Sequence, residues 1–333
     1  VVEAVGVVAA LRMREQVLRS SMPRTSFQAM GSKISVILDD DDPRRVLDQV
    51  PQWFEEWEQT LSRFRLDSEV SMLNAGAGPE HNVSTTLWAV LAAGLVAEEL
   101  TDGLVNPLVL EALVMAGYDR TFDLLETDSA AHAQFHAQAG TAEAVVAQAL
   151  PSLNSIVLDA STRTLSIPSG MGLDFGGVAK GWAAHQAMER LNAIGPALVS
   201  AGGDVAVSRP RLNGEPWRVG VEDPAQRDRH LEMIYIERGG VATSGKDHRN
   251  WQRGGAFMHH IIDPRTLEPA QTDIMAATVV ASSVMRAEAL AKAVLIAGSE
   301  AGLEMLETIP DAEAVLVLDD RRLLYSSNIG EYL

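Results

Sequence analysis

Ala197-Leu-Val-Ser-Ala-Gly-Gly-Asp-Val-Ala-Val207 contains two short apolar runs, Ala197–Ser200 and Val205–Val207, that read as strands. Between them Ser200-Ala-Gly-Gly-Asp204 reads as a tight glycine turn with Asp204 as a cap. Strands joined so closely are antiparallel neighbours, because a parallel pair needs a crossover of a dozen or more residues. Downstream, strands are predicted at Trp217–Val221, Met233–Ile236 and Ala276–Ala281, with a closing pair at Ala314–Leu318 and Leu323–Ser326. Upstream, Phe27–Leu38 reads as one strand closed by the acidic cluster Asp39–Asp42, and Ile156–Leu158 with Thr164–Ile167 reads as a hairpin. Helices are interleaved with these strands. Asp42 and Pro43 are the N-cap and first residue of one that carries Val46, Leu47, Val50, Phe54, Trp57 and Leu61 at helical spacing. Ser84 caps another running to Leu100, Asn106-Pro107 opens a short one, and Arg286–Ala297 and Ala301–Thr308 close the series; Ser62–Asn74 reads as an ordered loop. The mixture predicts an α+β fold of largely antiparallel sheets with packed helices rather than a doubly wound parallel sheet.

With 333 residues, 47% hydrophobic and 22% charged, the chain has material for one large domain or two intertwined subdomains around a cleft. Its formal net charge of −18 argues against a nucleic-acid reader or a binder of anionic lipid. An anionic ligand would therefore need short-range positive charge, which suffices because the background field is screened over roughly 8–10 Å. Cysteine is absent, which excludes disulfides, thiolate metal sites and a cysteine nucleophile. No apolar run reaches the ~18 residues of a membrane span. Val1–Leu11 is apolar but short, and reads either as the remnant of a longer segment or as a helix packed on the domain. The expected organisation is an N-terminal helical extension over 1–24 and one domain over 25–333, with an Ala- and Gln-rich variable insert at about 121–150. The compartment is not assigned.

Three further segments could carry chemistry. Leu173-Asp-Phe-Gly-Gly-Val-Ala-Lys-Gly181 stands where a strand gives way to a helix, so free N–H groups, two glycines and Lys180 could meet a phosphate. Alone it reads equally well as a structural helix start, and it matches neither a Walker A loop nor a dinucleotide fingerprint. His259-His-Ile-Ile-Asp-Pro-Arg-Thr266 could place an imidazole in a cleft as a base; on spacing alone, one solvent-facing and one structurally bonded ring is the simpler reading. Glu288 and Lys292 lie four apart on one helix, the spacing of a surface ion pair.

Taken in order, these segments resemble the FAD:protein FMN transferase (flavinyltransferase, thiamine-biosynthesis-lipoprotein-like) family. The likeness begins at Ala29-Met-Gly31 and continues through Leu61–Ser71, Asn74, Gly103-Leu-Val-Asn-Pro107 and the 174–181 loop. It passes Ser200–Asp204, Thr243-Ser-Gly245 and His260–Thr266, and ends at Ala287–Ala293. The resemblance implies an enzyme that binds FAD, uses magnesium, and passes FMN through a phosphoester bond to a Thr or Ser hydroxyl of a target flavoprotein, releasing AMP. It implies flavin-site roles for Met30 and Phe64, FAD contacts from the Leu104, Val105 and Asn106 backbone and from Asp174, and a phosphate role for Lys180. It makes His260 the catalytic histidine. Metal ligands would come from the backbone near Gly177 and from an Asp and a Thr four apart, which here are Glu288 and Lys292.

Lys292 has no acceptor to offer a metal. Either it points away and waters complete the magnesium shell, or its ammonium partly replaces the metal beside the pyrophosphate, which predicts weaker magnesium dependence. A protein that binds or hydrolyses FAD without transfer is the alternative. Leu267, where the family usually has Gly, and Lys246-Asp-His248 also depart from the pattern. The expectation common to all of this is that the diglycine turn, His260 and the Glu288/Lys292 helix converge on one dinucleotide.

Overall fold

Gly202 and Gly203, at φ 63° and 96°, turn the chain back on itself between Ala197–Ala201 and Asp204–Val207, which pair antiparallel as expected. The computed structural model describes residues 22–40, 44–76, 80–125, 150–168 and 170–333. Most of the expected N-terminal extension, the Asp42–Pro43 helix start and most of the 121–150 insert lie outside these. The hairpin sits inside an eight-stranded sheet of β1 (Arg24–Ala29), β2 (Ser32–Leu38), β3 (Ala197–Ala201), β4 (Asp204–Val207), β5 (Gly239–Gly245), β6 (Ile274–Ala281), β7 (Ala312–Leu318) and β8 (Leu323–Tyr325). Each strand is antiparallel to the next in chain order.

Both faces of this sheet are covered, which explains why its central strands read as continuous apolar runs. On one face Ala197, Val199, Ala201 and Ala206 pack with Ala183, Ala187 and Leu191 of the helix Ala179–Asn192, while β5, β6 and β7 pack on the helix Val284–Ala297. On the other, Leu198, Val205, Val207, Val241, Val280 and Val315 meet Trp217, Ile234 and Ile236 of a long hairpin, Trp217–Asp223 with Gln226–Ile236. Among the described residues the α-helices of six residues or more are α1 (Val50–Leu61), α2 (Glu69–Ala75), α3 (Thr85–Leu100), α4 (Leu110–Met115), α5 (Ala179–Asn192), α6 (Val284–Ala297) and α7 (Ser299–Glu307). Phe54, Trp57 and Leu61 form the buried stripe of α1, and Trp57 meets Trp182 of α5 edge to face at 5.4 Å. Ser84 caps α3 as expected, its Oγ accepting the Leu87 N–H at 3.1 Å.

Two readings are corrected. Phe27–Leu38 is not one strand: Met30 and Gly31, at φ 52° and 62°, form the two-residue turn between β1 and β2. Both turn positions need positive φ in that geometry, so the alternation that runs on through the sequence conceals a hairpin. Glu58 of α1 steadies the non-glycine position by accepting the Met30 N–H at 2.7 Å. Ser62–Asn74 is not all loop, because Ser68 accepts the Ser71 N–H at 3.1 Å and starts α2. The small-residue segment Gly239–Gly245 is a central strand, and a Cβ on Gly240 would stand 2.2 Å from the Val284 Cα, so only glycine lets α6 start there. Among the described residues no helix is long and apolar enough to cross a membrane.

Candidate functional site

The Leu173–Gly181 segment runs into the N-terminus of α5. Asp174 fastens its start: the backbone N–H reaches Pro107 O at 2.8 Å, Oδ1 accepts the Gly176 N–H at 2.8 Å, and Oδ2 lies 2.6 Å from Arg63 Nε. A Cβ on Gly176 would come within 2.9 Å of that Oδ1, so a side chain here would displace the Asp174 carboxylate. Helix α5 has no side-chain cap of its own. Glu288 of α6, only 1% exposed, supplies the missing acceptor: its Oε2 takes the Gly181 N–H at 3.0 Å, where the helix end favours negative charge.

Around Glu288 the charges form a chain. Lys180 Nζ is 2.6 Å from Asp204 Oδ2 and 3.0 Å from Glu288 Oε1, and Lys292 Nζ is 3.1 Å from the same Oε1. Burial alone would raise the Glu288 pKa, but the two ammonium groups outweigh it and hold the carboxyl below its usual range. Asp204 goes the other way: burial, with Glu288 nearby, pushes it up to about 6 against the pull of Lys180. Lys180 is raised, its two carboxylates outweighing burial, while burial lowers Lys292.

His260 follows the Asn250–Arg253/Ala256–His259 hairpin, which the sequence did not reveal. Its Nδ1 lies 3.3 Å from the Arg249 carbonyl, an acceptor, so Nδ1 carries the hydrogen and Nε2 the lone pair. Burial, then Arg249, His259, Lys180 and Lys292, hold its pKa well below the ordinary value, so the ring is neutral at pH 7. His259 is the structural ring of the pair: it is buried, with Nε2 2.9 Å from Ala270 O and Nδ1 accepting the Ile261 N–H.

These pieces face one cleft with two lobes. The larger, 680 Å³, is within the range of small-molecule sites and is lined by Lys180, the Gly202-Gly203 turn, Thr243 and His230. The smaller, 100 Å³ and mostly apolar, is lined by Phe64, Leu104, Val105, Asn106, Asp174 and Gly177. Gly176, Arg249, His260 and Lys292 line both and mark the junction. Nine of the ten expected site residues therefore gather at this cleft or directly behind it. Glu288 is the one behind, buried under the two lysines. Met30 lines neither lobe and serves the turn beside Gly31, which does line the larger one. Asn106 contributes backbone, since its side chain is committed to Leu108 N–H at 2.9 Å and Pro151 O at 3.0 Å.

Sequence reasoning missed Arg249 and Tyr118. The Arg249 guanidinium holds Gly31 O at 2.8 Å and Ser32 Oγ at 3.3 Å, tying the His260 hairpin to the β1–β2 turn. Tyr118 lines the small lobe and packs tilted against Phe64, ring centroids 5.5 Å apart, with Arg63 over both rings. Of the departures, Lys246 turns away to Thr272 O and Asp319, whereas Asp247 and His248 line the large lobe. Lys292 does not point away from the site.

The donors around Glu288 do not suit a divalent cation. Both carboxylate oxygens already accept from an amide and two ammonium groups, and a divalent ion there would lie against like charge. Among the described residues no three His, Cys, Asp or Glu side chains cluster as a metal would need.

The family model of the ApbE family matches residues 30–316. A Treponema pallidum protein named FAD:protein FMN transferase is 30% identical over 308 residues, covering 85% of this chain and 80% of its own. A Vibrio cholerae protein of the same name is 27% identical over 302 residues, covering 88% and 86%. The crystal structure of the ApbE protein from Thermotoga maritima superposes with a TM-score of 0.79 at 22% identity, over 94% of this chain and 99% of that one, a likeness of fold.

Proposed function

Because this chain belongs to the ApbE family, we propose that it is an FAD:protein FMN transferase, binding FAD across the two lobes and transferring the FMN half to a Thr or Ser hydroxyl of an acceptor protein. The observation that carries this reading is the junction itself. A neutral imidazole, the Lys292 ammonium and a guanidinium meet there between an apolar lobe and a larger one that Lys180 lines. The apolar lobe, with Phe64, Tyr118 and the Leu104–Asn106 backbone, suits the flavin end. The larger lobe suits the AMP end and the arriving hydroxyl. Residues 25–333 form the catalytic unit in this reading.

In the reaction the acceptor oxygen attacks the FMN-side phosphorus, and its proton passes to His260 Nε2. The bond from that phosphorus to the bridging oxygen breaks, and AMP leaves with the electron pair, the proton following from the imidazole to the leaving phosphate or to water. Negative charge growing on the phosphoryl oxygens is met by Lys180 and Arg249, fixed in place before the reaction by their own partners. Asp174 and Arg63 hold the glycine turn and Phe64 in position. Magnesium expected at Gly177 and Glu288 does not fit the donors described, and no step is assigned to it.

Incubating the protein with FAD and a peptide carrying an acceptor Thr tests the reading by mass spectrometry. FMN added to the peptide, with AMP released, is the expected result. AMP and free FMN without modified peptide would replace it with FAD hydrolysis, and neither product would leave only binding.

A further inference from the structure

The junction of the two lobes is where a dinucleotide spanning them must carry its pyrophosphate, and Lys292 is one of the four residues lining both. Its position is not incidental. The side chain is only 15% exposed, its Nζ is 3.1 Å from Glu288 Oε1, and its stem runs beside the glycine turn, where a Cβ on Gly177 would lie 3.5 Å from Lys292 Cε. Glu288 is fixed in turn by the Gly181 N–H and by Lys180. Two ammonium groups stand here against the buried carboxylates of Glu288 and Asp204, so the four side chains balance one another, and Lys292 is the ammonium that reaches the wall of both lobes. Arg249, which also lines both lobes, adds a guanidinium there that is held by the Gly31 carbonyl and the Ser32 hydroxyl.

We propose that this Lys180–Glu288–Lys292 cluster is a built-in cation site for the pyrophosphate, so that the protein binds FAD and transfers FMN without any divalent metal. Lys292 Nζ sits on the Glu288 oxygen that a metal held there would need. One N–H of the Lys292 ammonium is held by Glu288, and the other two, with its charge, would take the place of the coordination an ion would otherwise supply. An advantage follows for an acidic protein: the countercharge is covalent, and it is not diluted when free magnesium is scarce.

The inference rests on the FAD reading above, and its test separates the two. FAD binding to the whole protein is measured by titration calorimetry and flavin fluorescence in excess EDTA and again with added magnesium, followed by transfer to the Thr peptide under both conditions. The expected result is saturable FAD binding in EDTA, with magnesium changing affinity and transfer by less than about threefold, well under the ~tenfold or more that losing one charge-assisted hydrogen bond would cause. Lys292→Met is expected to weaken FAD binding at least about tenfold with no rescue by magnesium. Lys292→Thr, which removes the ammonium and restores an oxygen, is expected to make binding magnesium-dependent. FAD binding that requires magnesium in the unaltered protein, with one tight metal per chain, overturns the inference and leaves the transferase reading standing. No FAD binding under either condition overturns both.

Discussion

Gly181 of α5 and Glu288 of α6 touch across the helix pair: the Gly181 N–H donates to Glu288 Oε2 at 3.0 Å, and a Cβ added at Gly181 would stand 2.5 Å from that same oxygen. The glycine is thus a spacer that lets a carboxylate from one helix cap the next. Gly181→Ala should push Glu288 off the α5 N-terminus, since no other side chain caps that end. The expected cost is about 1–3 kcal/mol of stability, the usual penalty for an inserted methyl in a packed contact. Denaturant unfolding measures this, and an alanine variant as stable as the parent would show that Glu288 moves aside freely.

Glu288 also separates two ammonium groups, so the order in which the cluster is dismantled matters. Glu288→Ala leaves Lys292 and part of Lys180 buried without their counter-ion and should cost about 3–5 kcal/mol. Removing Lys292 as well, in Glu288→Ala/Lys292→Met, should recover part of that loss, because the stranded charge goes with it. Thermal or urea unfolding of the two single variants and the pair gives the coupling. Strict additivity would mean that the short Lys292–Glu288 distance carries no energy.

Much of this arrangement could be read from the chain, and the parts that could not share a cause. The glycine loop, His260 and the α6 pair were legible because each is a short segment with its own spacing, and their order gave the family likeness. Asp204 was read as a turn cap, yet its Oδ2 is the nearest partner of Lys180 at 2.6 Å, a relation made by α5 packing on β4. Arg249 reaches Gly31 over 218 residues of sequence, with no local pattern to announce it. The Met30–Gly31 turn was hidden because strand alternation continues through it. Leu267, noted for standing where glycine is usual, proves to adopt φ 62°, so the departure is a backbone one: the bend after Asp263-Pro264 keeps its left-handed residue at the cost of Leu strain.

His260 gives the pH dependence a sign. Burial, then Arg249 and its other cationic neighbours, hold the folded-state pKa well below 6.5. The ring is therefore an available base throughout the neutral range, and transfer should stay flat as pH falls through 6.5, declining only further toward acid. The linked stability runs the same way: a depressed pKa contributes stability that is present above the unfolded value and lost as pH falls toward the folded one. His260→Ala should lower transfer about 10²–10⁴-fold while flattening that acid slope. An acid limb centred at 6.5 or above in the transfer profile would contradict a buried neutral base.

Arg249 is placed to join the hairpin that carries His260 to the turn that carries Gly31, and it lines both lobes as well. Its two roles can be separated by substitution. Arg249→Lys keeps a positive charge but cannot span the Gly31 carbonyl and Ser32 hydroxyl with one planar fork. If charge at the junction matters most, the lysine variant should bind FAD nearly as well as the parent, and Arg249→Met should lose about tenfold or more. Geometry should matter more for the chemical step, because the Arg249 carbonyl also fixes the His260 tautomer. The lysine variant should therefore keep its FAD affinity yet transfer more slowly, a split between binding and turnover that titration and single-turnover mass spectrometry can resolve. Equal losses in both would make Arg249 a simple charge donor and leave the orientation of His260 to the hairpin alone.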